Sequence, residues 1–369
     1  MPLRTHYRVP STFLLATILF VLALAAPALA EDIENSWTID ARELSIANLI
    51  GAVEVTAARG DEFTIEAVVR GEDAEDGLIT FVQDGTGDVD FAVVFPLEDH
   101  TKYVYPELGS GKTTIHYRVE NGEEGGSWLK KMLNGNGTKV TVRGKGGGLE
   151  VWVDLKIGVP EGRSLAMRQG VGQIVARAVE GELNLDTNSG SIAVKDLKGD
   201  LLADTGSGRV TAKVIEGDVS IDTGSGSVEV SEVTGDKVHV DTGSGSVKVQ
   251  SVVCSNLHVD TGSGRVSAEG IETDKAKIDT GSGSVVLQLD RMGDGRFIID
   301  TGSGSIELVL PDDASARIHA DTGSGSVRTK IDGAEIQHKE RDELRMTVGD
   351  GEARVTLDAG SGSITIRSL

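Results

Sequence analysis

The sequence predicts an all-β chain, a single-stranded parallel β-solenoid of about 18–21 residues per coil with an inserted N-terminal β-rich lobe. Three observations predict it. A Gly-Ser motif headed by Asp recurs at nearly constant steps. Apolar and polar residues alternate on both sides of each copy. Aromatic residues crowd into one early stretch.

The motif begins at Asp186 (DTNSG), then at Asp204, Asp222, Asp241, Asp260, Asp279, Asp300, Asp321 and Asp358 (DAGSG). The steps are 18, 18, 19, 19, 19, 21, 21 and 37. The double last step implies one degenerate turn, looped out through Ile336–Arg345. Take each Asp as position zero. Positions -3 and -1 are apolar, as in Leu183/Leu185, Val219/Ile221 and Phe297/Ile299, and position +6 is always Val or Ile. Period-two alternation means half-buried strands. Each unit is therefore a strand, a Gly-Ser corner, a second strand and a looser corner.

The structural corners comprise Asp204, Gly206 and Gly208; Asp222, Gly224 and Gly226; Asp241, Gly243 and Gly245; Asp260, Gly262 and Gly264; and Asp279, Gly281 and Gly283. Asn188 replaces Gly at +2 in the first unit, which predicts a left-handed backbone there. Stacked carboxylates about 4.8 Å apart repel, by roughly 0.9 kcal/mol per neighbouring pair in bulk water. Hydrogen bonds from the N–H groups of each carboxylate's own corner are expected to offset this. A row of Ca²⁺ ions is the alternative, but the corner lacks the one-Asp-in-nine spacing of Ca²⁺-binding β-rolls. No cofactor is predicted.

Upstream, Arg168 and Ala47 also fit position zero, and Phe63–Ala67 reads as the start of another coil. The organisation is then signal peptide 1–30, first solenoid coils 31–69, inserted β-rich lobe or cap 70–148, and solenoid repeats 149–369. The lobe offers strands at Asp88–Phe95, Thr113–Val119 and Thr138–Gly144 and a short helix at Ser127–Leu133. Ten of the eleven aromatics after the signal peptide lie between Trp37 and Trp152. They read mainly as core, under a lobe that covers exposed strand edges.

Residues 1–30 carry Arg4 and Arg8, an apolar run over Phe13–Ala26 and small residues at Ala28–Ala30, the pattern of a cleaved secretory signal. No later segment is long and apolar enough to span a membrane. Export to the periplasm, cell surface or medium follows. Cys254 is the only cysteine, so no internal disulfide forms, and it reads as a small buried filler. The net charge is -22, and -24 once Arg4 and Arg8 are removed, which disfavours nucleic acid and anionic lipid as partners.

Asp-Thr-Gly-Ser is also the signature of aspartic proteases. Such an enzyme needs two carboxyls in one site, whereas seven DTGSG copies stand here at solenoid spacing. No catalytic residues and no metal ligands are assigned. His239 and His258 share position -2 in adjacent coils, with His319 further along, but no third and fourth ligands accompany them. The -4 column is acidic early (Glu182, Asp200, Asp218) and mostly basic later (Lys237, Lys275, Arg296, Arg317), which suits a solvated face.

The repeated DTGSGSV, the opening Leu44–Gly71 and the closing Leu357–Leu369 resemble a bacterial domain-of-unknown-function family labelled "putative adhesin", with β-strand repeats. The resemblance spans roughly 40–369 and implies a β-solenoid of the cell envelope or exterior. It supplies no catalytic residues. The sequence thus predicts a non-enzymatic exported adhesin or envelope scaffold, with a surface glycan or protein as partner and no site assigned to it. The alternatives are a polysaccharide-active β-helix enzyme and an envelope signalling partner that binds through the aromatic lobe.

Overall fold

Alternating apolar residues bury themselves by stacking coil on coil, and this produces two parallel ladders joined at corners. The computed structural model describes residues 32–117 and 138–369. The expected signal peptide and the Ser127–Leu133 helix lie outside them. One ladder, the motif face, carries the Asp-headed strands. From Ala41–Ile50 it runs through Arg163–Val171, the end of Ile174–Ser189, Leu201–Ser207 and Val219–Ser225. The strands Val228–Thr242, Val247–Thr261 and Val266–Thr280 each bend around a corner and serve both ladders. The return face stacks Val53–Ala57, the start of Ile174–Ser189, Ile192–Lys198, Val210–Glu216 and their successors.

Register is strict. Ala47 pairs with Arg168, Arg168 with Asp186, Asp186 with Asp204, and so on through Asp279 and Asp300. Residues at -3, -1, +6 and +8 form one continuous apolar core, with Leu185, Ile221, Val240, Val259, Ile278 and Ile299 wholly buried. A one-residue slip would turn this set outward, so burial itself holds the register.

The double step at the C-terminus is resolved differently from the expected loop-out. Ala353–Ala359 lies between Arg296–Thr301 and Ala316–Thr322, pairing Asp300 with Asp358 and Asp358 with Asp321. Ile364–Ser368 is likewise inserted between Ile306–Leu310 and Val327–Lys330. The chain skips one coil position, reverses, and fills the gap with its last coil. Ile336–Arg345 belongs to an antiparallel pair, Glu335–Lys339 and Glu343–Val348, that covers the outer edge of Ala316–Thr322.

The N-terminal end is sealed by the same device. Phe63–Arg70 does not begin a parallel coil. It runs antiparallel to both Ile33–Ile39 and Trp152–Val159, because the short Ala58–Glu62 connection turns the chain straight back. Gly87–Val94 pairs parallel with Ala41–Ile50, and Thr80–Asp84 closes it antiparallel. Lys102–Val104, Thr138–Arg143 and Lys112–Tyr117 form a separate three-stranded sheet. Antiparallel ends hide strand edges that would otherwise template aggregation.

The looser corner has a signature that the repeat did not disclose. Ala178, Asp196, Val214, Glu232 and Ser251 stack at +10 with φ between 51° and 57°, and Gly270 continues the column at 68°. Their register partners are skipped on either side. In these six coils one left-handed residue turns the chain, whatever its side chain.

Candidate binding groove

The Gly-Ser corners differ from expectation in two ways. Neither Asn188 nor the +2 glycines Gly206, Gly224, Gly243, Gly262 and Gly281 are left-handed. Glycine is needed at +2 because coils approach closely: a Cβ on Gly224 would stand 2.7 Å from the Gly206 carbonyl oxygen. At +4 the conflict is more severe, since a Cβ on Gly226 would overlap the Gly208 carbonyl oxygen. The Asp side chains also do not tie the corner. That part is taken by the Thr at +1, buried in every copy from Thr187 to Thr322 and hydrogen-bonded in each but Thr223. Thr205 Oγ1 donates to the Gly190 carbonyl of the preceding coil at 3.0 Å, Thr261 to Gly245 at 3.2 Å and Thr301 to Gly283 at 2.8 Å. The corner N–H groups of Gly283, Gly304 and Gly325 donate to Thr280, Thr301 and Thr322 rather than to a carboxylate.

The Asp column therefore faces outward as a row of carboxylates. Burial and the neighbouring Asp204 push the Asp186 carboxyl up to about 6, against an opposing pull from Arg168. Asp204 and Asp300 are raised for the same reasons, burial first and adjacent Asp carboxylates second. Among the described residues no group of three or more His, Cys, Asp or Glu side chains is arranged to hold a metal ion. His239 and His258 do stack, with ring centroids 4.7 Å apart, and burial and the His239 ring lower the His258 pKa. Cys254 is buried, 3.7 Å from the Thr273 hydroxyl.

A raised carboxyl pKa has a defined sign. The folded state holds the Asp186 proton more tightly than the unfolded chain does, so ionisation penalises folding as pH rises from about 4 through about 6. Asp186→Asn is expected to stabilise the protein at pH 8 by about 1–3 kcal/mol, solvent screening included, and to change little at pH 4. Urea melts of both proteins at the two pH values test this; an equal difference at both would refute it.

A depression of about 410 Å³ crosses the starts of the early motif strands, between Glu43 and Lys237, and a larger one lies at the Gly-Ser corners. A groove of about 540 Å³ opens where the lobe overhangs the first corners. Its floor is Gly172, Ser189, Gly190, Ser191, Ser207 and Gly208, and its wall is Tyr105, Glu107, Leu108 and Trp152. The strand Trp152–Val159 aims Trp152 outward beside Arg70, its register partner. Tyr105 is fixed by its N–H bond to the Arg143 carbonyl at 2.7 Å, and its ring lies 5.8 Å from Trp152. Burial, with Asp154 and Glu107 nearby, pushes the Tyr105 phenol up, so it stays protonated.

The polar side of the groove is held rigidly. Arg70 donates to Asp154 at 2.8 Å and to Asp32 at 3.1 Å, and Asp154 also accepts the Ala52 N–H at 2.8 Å. A second depression shares Ala52, Arg70, Asp154 and Gln173 and carries the groove across the return face toward Glu54 and Arg177. None of these groove residues was singled out as a site from the sequence. The available signal was the aromatic cluster between Trp37 and Trp152. Among those whose burial is described, most are core: Phe63, Phe91, Phe95, Tyr103 and Tyr105 are buried, while Trp152 keeps an outer surface.

The sequence profile of the family described as Toastrack DUF4097 matches residues 114–367, more than half of the chain. The chain belongs to that family. Among solved structures, this Toastrack chain is similar to a putative cell adhesion protein from Clostridium sporogenes, with 10% identity over 92% of this chain and 100% of that one, at a TM-score of 0.25. A putative adhesin from Bacteroides fragilis shares 10% identity over 92% and 98% of the two chains, at a TM-score of 0.32. One from Parabacteroides distasonis shares 10% over 92% and 97%, at 0.30. No curated protein matches the Toastrack sequence. No helix among the described residues is long and apolar enough to cross a membrane.

Proposed function

We propose that this Toastrack protein is an exported, non-enzymatic adhesion scaffold: a long rigid stack that carries a recognition surface at its lobe end. The observation that supports it most is the contrast between the two ends of the motif face. The first corners meet an aromatic wall and a fixed Arg70–Asp154 pair, whereas the later corners repeat one Asp-Thr-Gly-Ser-Gly pattern with no aromatic residue in it. Membership of the Toastrack family fits a stacked scaffold, and the secretory pattern of residues 1–30 fits export.

The test uses the chain from Glu31 onward, immobilised on beads and exposed to intact bacterial cells, isolated cell walls and mucin. Retention of at least one surface, with no reducing ends released from it, is expected. Release of reducing ends that Asp154→Asn abolishes would instead make the protein a polysaccharide-active enzyme.

A further inference from the structure

We propose that the groove beneath the lobe binds an uncharged glycan chain, laid along the solenoid axis with one sugar ring against Trp152. The proposal rests on the adhesion reading and names the ligand class of that same surface.

Four features carry it. Trp152 is half-buried and braced by Tyr105, so its indole is a fixed apolar plate at the edge of a wet groove, which suits the C–H face of a pyranose. Ser189, Ser191, Ser207 and the Gln173 amide line the floor, and their side chains make no hydrogen bond to other described residues. Ser189 and Ser207 are register partners in adjacent coils, so their hydroxyls repeat at about 4.8 Å, close to the length of one sugar ring. An extended peptide repeats side-chain direction every two residues, about 6.6 Å, and falls out of step with the coils.

Charge narrows the class. Arg70 is already matched by Asp154 and Asp32, and Glu107 adds a carboxylate to the wall. Among the described residues that line the groove beside Trp152, Arg70 is the one cation, so none is left over there for a uronate, sialate or phosphate, and the -22 net charge of the chain repels such polymers at longer range. The Arg70–Asp154–Ala52 contacts hold the groove before any ligand arrives, which lowers the ordering cost of binding.

The experiment is isothermal titration of the chain from Glu31 onward with cellohexaose, xylohexaose, maltohexaose and fully N-acetylated chitohexaose, and with hexagalacturonate as the anionic control. At least one neutral hexasaccharide should bind with submillimolar affinity. Trp152→Ala should weaken it about tenfold or more, Gln173→Ala several-fold, and Trp152→Phe less than Trp152→Ala. Asp241→Asn, on a distant coil, should leave it unchanged. Failure of every neutral hexasaccharide at millimolar concentration, preference for hexagalacturonate, or full binding by Trp152→Ala would overturn the proposal. If Trp152→Ala loses its cooperative melt, a Gln173→Ala/Ser191→Ala double variant decides: undiminished binding overturns it. A chain that still holds cells but no neutral hexasaccharide removes the glycan groove and leaves the adhesion reading; a chain that holds neither removes both.

Discussion

Gly226→Ala is expected to abolish cooperative folding of the middle of the solenoid, or to cost more than about 4 kcal/mol if the chain still folds. A methyl group at this position overlaps the Gly208 carbonyl oxygen of the adjacent coil. The backbone is clamped on both sides, by Gly208 and by Gly245, whose own Cβ would strike the Gly226 carbonyl. That carbonyl also accepts the Thr242 hydroxyl at 3.3 Å. Relief would require separating two coils and breaking ladder bonds on both faces. Each coil touches only its neighbours, so the break should propagate as a two-step melt. Gly60→Ala is the control, because nothing lies within 4 Å of its added methyl, and it should stay within about 0.5 kcal/mol of the parent. Urea melts followed by far-ultraviolet circular dichroism separate the two; indistinguishable curves would contradict the close-stacking account.

Truncation after Gly351 is the second large effect. It removes Ala353–Ala359 and Ile364–Ser368 from inside the stack rather than from its end. The core loses Val355, Leu357, Ile364 and Ile366, each wholly buried and each contributing roughly 1.5–3 kcal/mol. It also opens a coil-wide gap between Arg296–Thr301 and Ala316–Thr322. Residues 316–348 should detach and become sensitive to protease, while the stack up to Leu310 stays protected. A synthetic peptide spanning 352–369, added in trans, should restore protection. An unchanged digestion pattern in the truncated chain would show that the last coil packs on the outside.

Much of the fold was legible from parity alone. Alternation assigned -3, -1, +6 and +8 to the core, and those residues are buried, with half-buried Thr329 the exception. The same parity places the Thr at +1 inside and the Asp at zero outside. The inward Thr, not the outward carboxylate, is therefore placed to make the corner bonds, as Thr205 and Thr261 do. At the +2 glycines the governing fact is distance to the next coil rather than a left-handed backbone, and one strand's sequence does not display that distance. The inserted last coil was beyond reach for a related reason: a step of 37 residues gives chain length, not the order in which coils stack. Phe63–Arg70 alternates like a coil strand, and only its short connection to Val53–Ala57 betrays the antiparallel turn. The groove is not legible in the sequence because Trp152, Tyr105 and Ser191 are distant along the chain and meet only in the folded protein.

Hydrogen exchange of the chain from Glu31 onward, with and without saturating neutral hexasaccharide, tests the central claim most directly. Binding at the lobe end predicts slowed exchange in segments 103–108, 150–155 and 171–191, with the motif strands from Val238 to Thr301 unchanged. Protection spread along those motif strands, or none anywhere, would contradict it.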